Sequence, residues 1–293
     1  MEFIQSLGSG ILTGMVYGLL GLGLVLIFRA SEAFNFAVGE FLVVGAFLFY
    51  VLHFQWRIPL LVALPAGLGA AALFGALVEG TTIKPLMGRP ALSMTIITLG
   101  LSNILAGGLQ AVAGSTPYQF SLRLPPLVLD LGDIIFPSPR LWAGIISVIF
   151  FGLVILFLYK TRWGLVIQAT SESQPKALCF GINAHLVLLL VWAIAAMCIA
   201  ASGIVIANLG ALSCQTSVVG LRAIPVVLIG GLDSIPGALV GGLIVGVVEA
   251  LTGAYLEPRG LIGFKEVVPY LVLLLVLFVR PYGLFGTVRI ERV

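Results

Sequence analysis

Long apolar runs alternate with short polar breaks along this chain from one end to the other. A helix needs about 20 apolar residues to cross the hydrocarbon of a bilayer. Runs of that length stand at 10–28, 36–54, 59–83, 91–113, 141–159, 186–208, 235–255 and 267–285. A further run, 211–231, carries Arg222 and Pro225 and is expected as a broken helix. Two breaks interrupt the rhythm. Residues 114–140 hold five prolines (Pro117, Pro125, Pro126, Pro137 and Pro139), which remove backbone donors and disfavour helix before them, so an ordered loop is expected there. The second break, Lys160–Ala184, is polar and helix-compatible together. The pattern predicts an all-α, polytopic integral membrane protein of eight or nine transmembrane helices. It forms a single transmembrane domain over 1–293, with no linker or second soluble domain.

Composition agrees. Hydrophobic residues make up 60% of the chain and charged ones 9%, with a mean hydropathy of +1.18, against roughly 25% charged residues in soluble domains. The N-terminus MEFIQSLGSG lacks the positive region of a cleavable signal, so the first run is expected to remain as a span. The 36 glycines suit close helix approach, and Gly10, Gly14 and Gly18, four apart, predict one smooth packing face. A weak internal echo links FNFAVGEFLVVGAFL at 34–48 with GLDSIPGALVGGLIVG at 231–246; each sets a short polar turn before a Gly-rich helix.

Charge placement gives an orientation, because cytoplasmic loops carry the Lys and Arg excess. With 160–184 in the cytoplasm, Arg29, Lys84, Arg89, Lys160, Arg162, Lys176, Arg280, Arg289 and Arg292 fall inside. Arg57, Arg123, Arg140, Arg259 and Lys265 fall outside, nine against five, which puts the N-terminus on the periplasmic side and the C-terminus in the cytoplasm.

Several chemistries are disfavoured. No Gly-x4-Gly-Lys-Ser/Thr phosphate cradle occurs. The two histidines, His53 and His185, lie on separate loop edges, and the three cysteines (Cys179, Cys198, Cys214) have no metal spacing. A net charge of +3 is too slight to suggest nucleic acid. The chain therefore reads as no enzyme, with no catalytic residue, metal site or cofactor of its own.

Within 160–184, Ser173 is placed to cap a short helix, Pro175 suits its first turn and Gly181 its end. Lys176 lies on that helix, and Ala177 and Gly181, four apart, give it a small-residue side that suits a groove of another protein. Three acids lie in or near spans, where ionisable groups are costly: Glu40, Glu79 and Glu249. Glu40, with Asn35 and Gly39, stands where a polar turn enters a span; the group is a candidate for the solute path, or else structural, with Glu40 or Asn35 satisfying a helix end. Glu249 is a candidate partner for Arg222. Gly237, followed by Gly241, Gly242 and Gly246, reads as tight packing, as a moving contact with a neighbouring subunit, or as part of the path.

These segments carry a resemblance. FNFAVGEFLVVGAF at 34–47, TLGLSNIL at 98–105, GLVIQATSESQPKALCFGIN at 164–183, VLIGGLDSIPGALVGGLIVGVVEAL at 227–251 and VRPYGLFG at 279–286 resemble the permeases of branched-chain (hydrophobic) amino-acid ABC transporters, in the family's order. The resemblance implies an ABC importer permease in the bacterial inner membrane. Its partners would be a homologous second permease, two cytoplasmic ATPases that bind the ATP and Mg, and a periplasmic solute-binding protein. It implies a coupling helix in 160–184, with Gln168, Ala169, Pro175, Lys176, Ala177, Gly181 and Ile182 at the ATPase. The family usually has Arg at Gln168 and commonly His at Val38. Three other readings remain open from the residues: a related permease for urea or another small amide, a self-contained secondary transporter or channel, and a membrane scaffold without transport.

Overall fold

The computed structural model describes residues 2–86, 89–114, 116–122, 124–127, 129–130, 135–172 and 174–287. Ser173, and Arg123, Arg289 and Arg292 of the charge count, lie outside the described residues. The long helices are α1 (Glu2–Ser31), α2 (Val38–Tyr50), α3 (Leu60–Val78), α4 (Ala91–Ala113), α5 (Ser138–Lys160), α8 (Ala184–Leu209), α11 (Ile235–Tyr255) and α12 (Phe264–Val279). Shorter ones are α6 (Arg162–Glu172), α7 (Gln174–Cys179), α9 (Ser217–Gly220) and α10 (Ala223–Gly230). π-helical turns Val51–Gln55 and Glu79–Ile83 extend α2 and α3. Pro59, Pro90 and Pro137 stand at the N-caps of α3, α4 and α5, where a missing N–H costs nothing.

Among the described residues, seven helices are long and apolar enough to cross a membrane. The expected eight or nine differs from this through two elements. The 211–231 run divides into α9 and α10 around Leu221 and Arg222, and α12 has 16 residues, about 24 Å of helix against a core of about 30 Å.

α1 and α8 form the centre of the bundle, with α2, α3, α5 and α11 around them. The glycine face of α1 lies where its spacing places it. A Cβ added at Gly246 of α11 would stand 2.5 Å from the Cα of Gly14, and one at Gly10 would stand 2.7 Å from the Cα of Val247. No other residue permits this approach, and dispersion between the two backbones substitutes for the hydrophobic drive that lipid cannot supply. Gly45 of α2 crosses Ala200 of α8 in the same way. By contrast α4 is nearly bare: 11% of its most apolar stretch is buried, against 72% in α1.

The Pro-rich loop is ordered at its described residues, as expected. Strand β1 (Tyr118–Gln119) pairs antiparallel with β4 (Ala211–Leu212), and β2 (Leu129–Asp130) with β3 (Ile135–Phe136). The Leu122 N–H donates to Asn208 Oδ1 at 2.8 Å, which ties the loop to the end of α8. At the other end of the bundle the C-terminal VRPYGLFG segment folds back as a hook. Leu284 N–H and Phe285 N–H donate to the Ile229 and Gly230 carbonyls, and Gly283 adopts φ +80° beside Gly231.

The two echoing segments share a build. Asn35 Oδ1 accepts the Ala37 N–H (3.0 Å) before α2, and Ser234 Oγ accepts the Gly237 N–H (3.0 Å) at the start of α11. Gly39 then lies against the Gly220 backbone, and Gly237 against Gly230.

Candidate functional site

The polar segment after α5 is two helices, where the spacing predicts one short helix near 175–181. Thr161 ends α5 and caps α6: its hydroxyl donates to the Phe157 carbonyl (2.7 Å) and accepts the Gly164 N–H (3.0 Å). Gly164 lets α6 fold back on α5, because a Cβ there would strike the Leu158 carbonyl. The Gln168 amide donates to that same carbonyl at 2.6 Å. Gln168 thus fastens α6 to α5, while its neighbour Ala169 is exposed.

α7 follows, with Pro175 its second residue. Ala177 is buried, and Gly181, with φ +77°, lies beyond the helix end with open space around it. The expected small-residue side is therefore corrected: Ala177 faces inward and Gly181 makes the turn. The Ile182 N–H donates to the Ala177 carbonyl (3.1 Å), a satisfied helix C-terminus, and half-buried Ile182 packs on the core. The exposed surface consists of Lys176 with Trp163, Leu165, Leu178 and Phe180, the last 85% exposed. Asn183 Oδ1 caps α8 by accepting the His185 and Leu186 N–H groups.

His185 then meets a membrane acid. Its Nδ1 lies 3.3 Å from Oε1 of fully buried Glu79, the first residue of the π-helical turn on α3. The approach lies off the hydrogen-bonding line.

The turn before α2 holds the second candidate group. Asn35 is 1% exposed, with its Nδ2 unpartnered, and Glu40 is buried against α4, near Ser102. Thr98 of α4 accepts the Phe36 N–H at 3.2 Å. Gly39 and Gly237 are both closed in by neighbouring backbone.

The third group surrounds the break between α9 and α10. Arg222 Nη1 lies 3.1 Å from Glu249 Oε1 and donates to the Tyr17 hydroxyl at 2.7 Å, with its guanidinium 5.7 Å from the ring centroid. The Arg222–Glu249 pair is the one the residues suggested. Tyr17, an aromatic within an apolar run, gave no separate signal. Ser102 and Thr98 lie within the TLGLSNIL motif but carry no spacing that announces their partners.

Residues 6–277 match the family model described as "Branched-chain amino acid transport system / permease component". The chain belongs to that permease family. The permease is 29% identical to the high-affinity branched-chain amino acid transport system permease protein LivH of Salmonella typhimurium, over 100% of this chain and 98% of that protein. It is 26% identical to the corresponding protein BraD of Pseudomonas aeruginosa, with the same coverage. It is 27% identical to the probable branched-chain amino acid transport permease protein LivH of Methanocaldococcus jannaschii, over 92% of this chain and 88% of that one. No solved structure matches the permease. It is a multi-pass membrane protein and a transport subunit.

Proposed function

We propose that the permease forms half of the translocation path of a bacterial ABC importer for branched-chain or other hydrophobic amino acids. Of two cytoplasmic ATPases that bind the ATP and Mg, one docks on α6–α7; this chain holds no cofactor. A homologous second permease completes the path, and a periplasmic binding protein delivers solute at the Pro-rich loop. The N-terminus is periplasmic and the C-terminus cytoplasmic. Asn35, Gly39 and Glu40 lie near the path, and Gly237 supports it by packing on α10.

The supporting observation is the surface of α6–α7. Trp163, Leu165, Leu178 and Phe180 are exposed between Lys160, Arg162 and Lys176, in a segment whose own helix ends are satisfied. Such a patch, apolar and rimmed by charge, marks a protein contact. Buried aromatic anchors carry most of the energy of such contacts. Gln168 and Ile182 hold the patch rigidly to α5 and the core, so a push on it moves the bundle.

Affinity purification in mild detergent tests this. The wild-type chain brings down two ATPases and a second permease, and Phe180→Asp with Leu178→Asp loses the ATPases while keeping the second permease. A chain that transports as a homomer, or a double variant that retains the ATPases, overturns the reading.

A further inference from the structure

Among the described residues, α4 is the least buried of the membrane-length helices, and its two sides differ in chemistry. Met94, Ile97, Leu101, Leu105 and Leu109 recur every three or four residues and meet the core. The Glu40 turn lies on that inner side, where Thr98 accepts the Phe36 N–H. At about 3.6 residues per turn, the line turned directly away from the core is Leu92, Ile96, Leu99, Asn103, Gly107 and Gln110, all exposed.

That outer line changes character with depth. Leu92, Ile96 and Leu99 fill its first half, and Asn103, Gly107 and Gln110 the half that leads to the Pro-rich loop. Asn103 stands about 18 Å along a helix of about 34 Å, at the middle of the span. Among the described residues, the other carboxamides of the long helices, Gln5 and Asn208, stand within a turn of a helix end. The Leu99 carbonyl accepts one Asn103 amide hydrogen (2.8 Å), which is a fraction of what a carboxamide can bond. Setting the rest of that group in hydrocarbon is costly, so protein or water meets this half of the face.

Two features select water. The first is the division itself: a dry contact between packed helices needs no separation of amides from leucines along the axis. A vestibule open at one end and shut at the other does. The second is the neighbouring backbone, which runs irregularly through a 3-10 turn (Cys214–Thr216) into the four-residue α9 beside Gly39. The Cys214 thiol reaches the Gly114 carbonyl just beyond α4 (3.5 Å), and Gln215 next to it is exposed. Such discontinuous helices accompany solute paths, and irregular backbone at membrane depth is tolerated beside a water-filled space.

We infer that the outer half of this face lines a water-filled vestibule on the solute path, with Asn103 and Gln110 bonding the polar end of the crossing solute. Leu99, Ile96 and Leu92 form the apolar collar that closes the vestibule inward by excluding water. The inference rests on the proposed reading for the existence of a path and for its direction. Asn35, Gly39 and Glu40 then support α4 from behind.

Single cysteines test this in a full-length chain carrying Cys179→Ser and Cys214→Ser, with Cys198 fully buried. A membrane-impermeant cationic methanethiosulfonate is added from outside to spheroplasts that hold the whole complex. Asn103→Cys and Gln110→Cys should react at least about tenfold faster than Ile149→Cys, because water favours the reactive thiolate. Ile149 is the reference, an exposed apolar residue at the middle of α5. Ile96→Cys, beyond the collar, should be as slow as Ile149→Cys, and Leu99→Asn should speed it at least about tenfold by wetting the collar. In cells, Asn103→Leu should lower leucine uptake about tenfold, the scale of one lost hydrogen bond, while the other subunits still co-purify.

An Asn103→Cys rate as slow as that of Ile149→Cys means a face packed against lipid or a dry subunit contact, and it overturns the inference. Uptake unchanged by Asn103→Leu does the same, and an Ile96→Cys rate indifferent to Leu99→Asn removes the collar. The labelling needs no ATP and no ATPase. Slow labelling in a complex that keeps its ATPases strikes the vestibule alone, and fast labelling in a chain that purifies without them strikes the importer reading alone.

Discussion

His185 Nδ1 and Glu79 Oε1 lie 3.3 Å apart, joining the start of α8 to the π-helical turn that ends α3. π turns recur at functional positions because the extra residue re-aims a side chain. Here it belongs to a carboxylate with no exposed surface, whose contact is the residue after the α6–α7 segment and its Asn183 cap. Removing the imidazole would take away the polar group that faces that buried carboxylate. His185→Ala should therefore destabilise the chain by about 1–3 kcal/mol, seen as a lower midpoint of thermal unfolding in mild detergent. Glu79→Gln in the same chain should recover part of the loss. Energies that simply add, to within about 0.5 kcal/mol, would show that the two residues do not interact.

The glycine seam makes a sharper prediction. Gly14→Ala and Gly246→Ala each put a methyl where the facing backbone already stands, since the built Cβ atoms come within 2.8 Å and 2.5 Å of α11 and α1 respectively. Each should force the helices apart and lower the yield of folded, monodisperse protein. Gly107→Ala on α4 meets nothing within 4 Å and should be neutral or stabilising by up to about 1 kcal/mol, the helix propensity of Ala over Gly. Equal behaviour of all three would remove the seam from the account.

That seam was legible in the sequence because its signal is local: glycines four apart share a face whatever surrounds them. The broken 211–231 helix was legible for a similar reason, with Arg222 and Pro225 interrupting an apolar run. α6 was not. Its fold-back depends on Gly164 meeting the Leu158 carbonyl and on Gln168 bonding that same atom, both tertiary events. The bare face of α4 was equally hidden, since hydropathy rates a residue's taste for hydrocarbon and does not distinguish lipid from a neighbouring subunit. His185 with Glu79, and Tyr17 with Arg222, are contacts between distant parts of the chain that no spacing rule connects.

Arg222 stands at the break between α9 and α10 with two partners, the part-buried Glu249 and the buried Tyr17. Breaking a buried pair by deleting one member costs about 3–5 kcal/mol, because the remaining charge is stranded. Arg222→Leu should lower stability by an amount of that order, about 3 kcal/mol. Adding Glu249→Gln should restore a good part of it by removing the stranded carboxylate. Thermal midpoints of wild type, both single variants and the double variant provide the check. A double variant worse than Arg222→Leu would mean that Glu249 is supported by groups other than Arg222.

The native cysteines can fix the orientation. Cys179 is exposed at the end of α7 and Cys214 is partly exposed just beyond β4, while Cys198 is fully buried on α8. Between the two accessible thiols runs α8, 26 residues long, about 39 Å of helix against a hydrocarbon core of about 30 Å. They must therefore emerge on opposite faces, whichever face is cytoplasmic. The Lys and Arg excess predicts that Cys179 lies on the inside. A membrane-impermeant maleimide should accordingly spare Cys179 in spheroplasts and label it in inverted vesicles, with Cys214 showing the reverse. Cys198 should react only after unfolding, and Cys179→Ser and Cys214→Ser variants assign each signal. Labelling of both thiols from one side would refute the transmembrane path of α8. A clean exchange of the two patterns would invert the orientation and place α6–α7 outside, where no cytoplasmic ATPase could reach it.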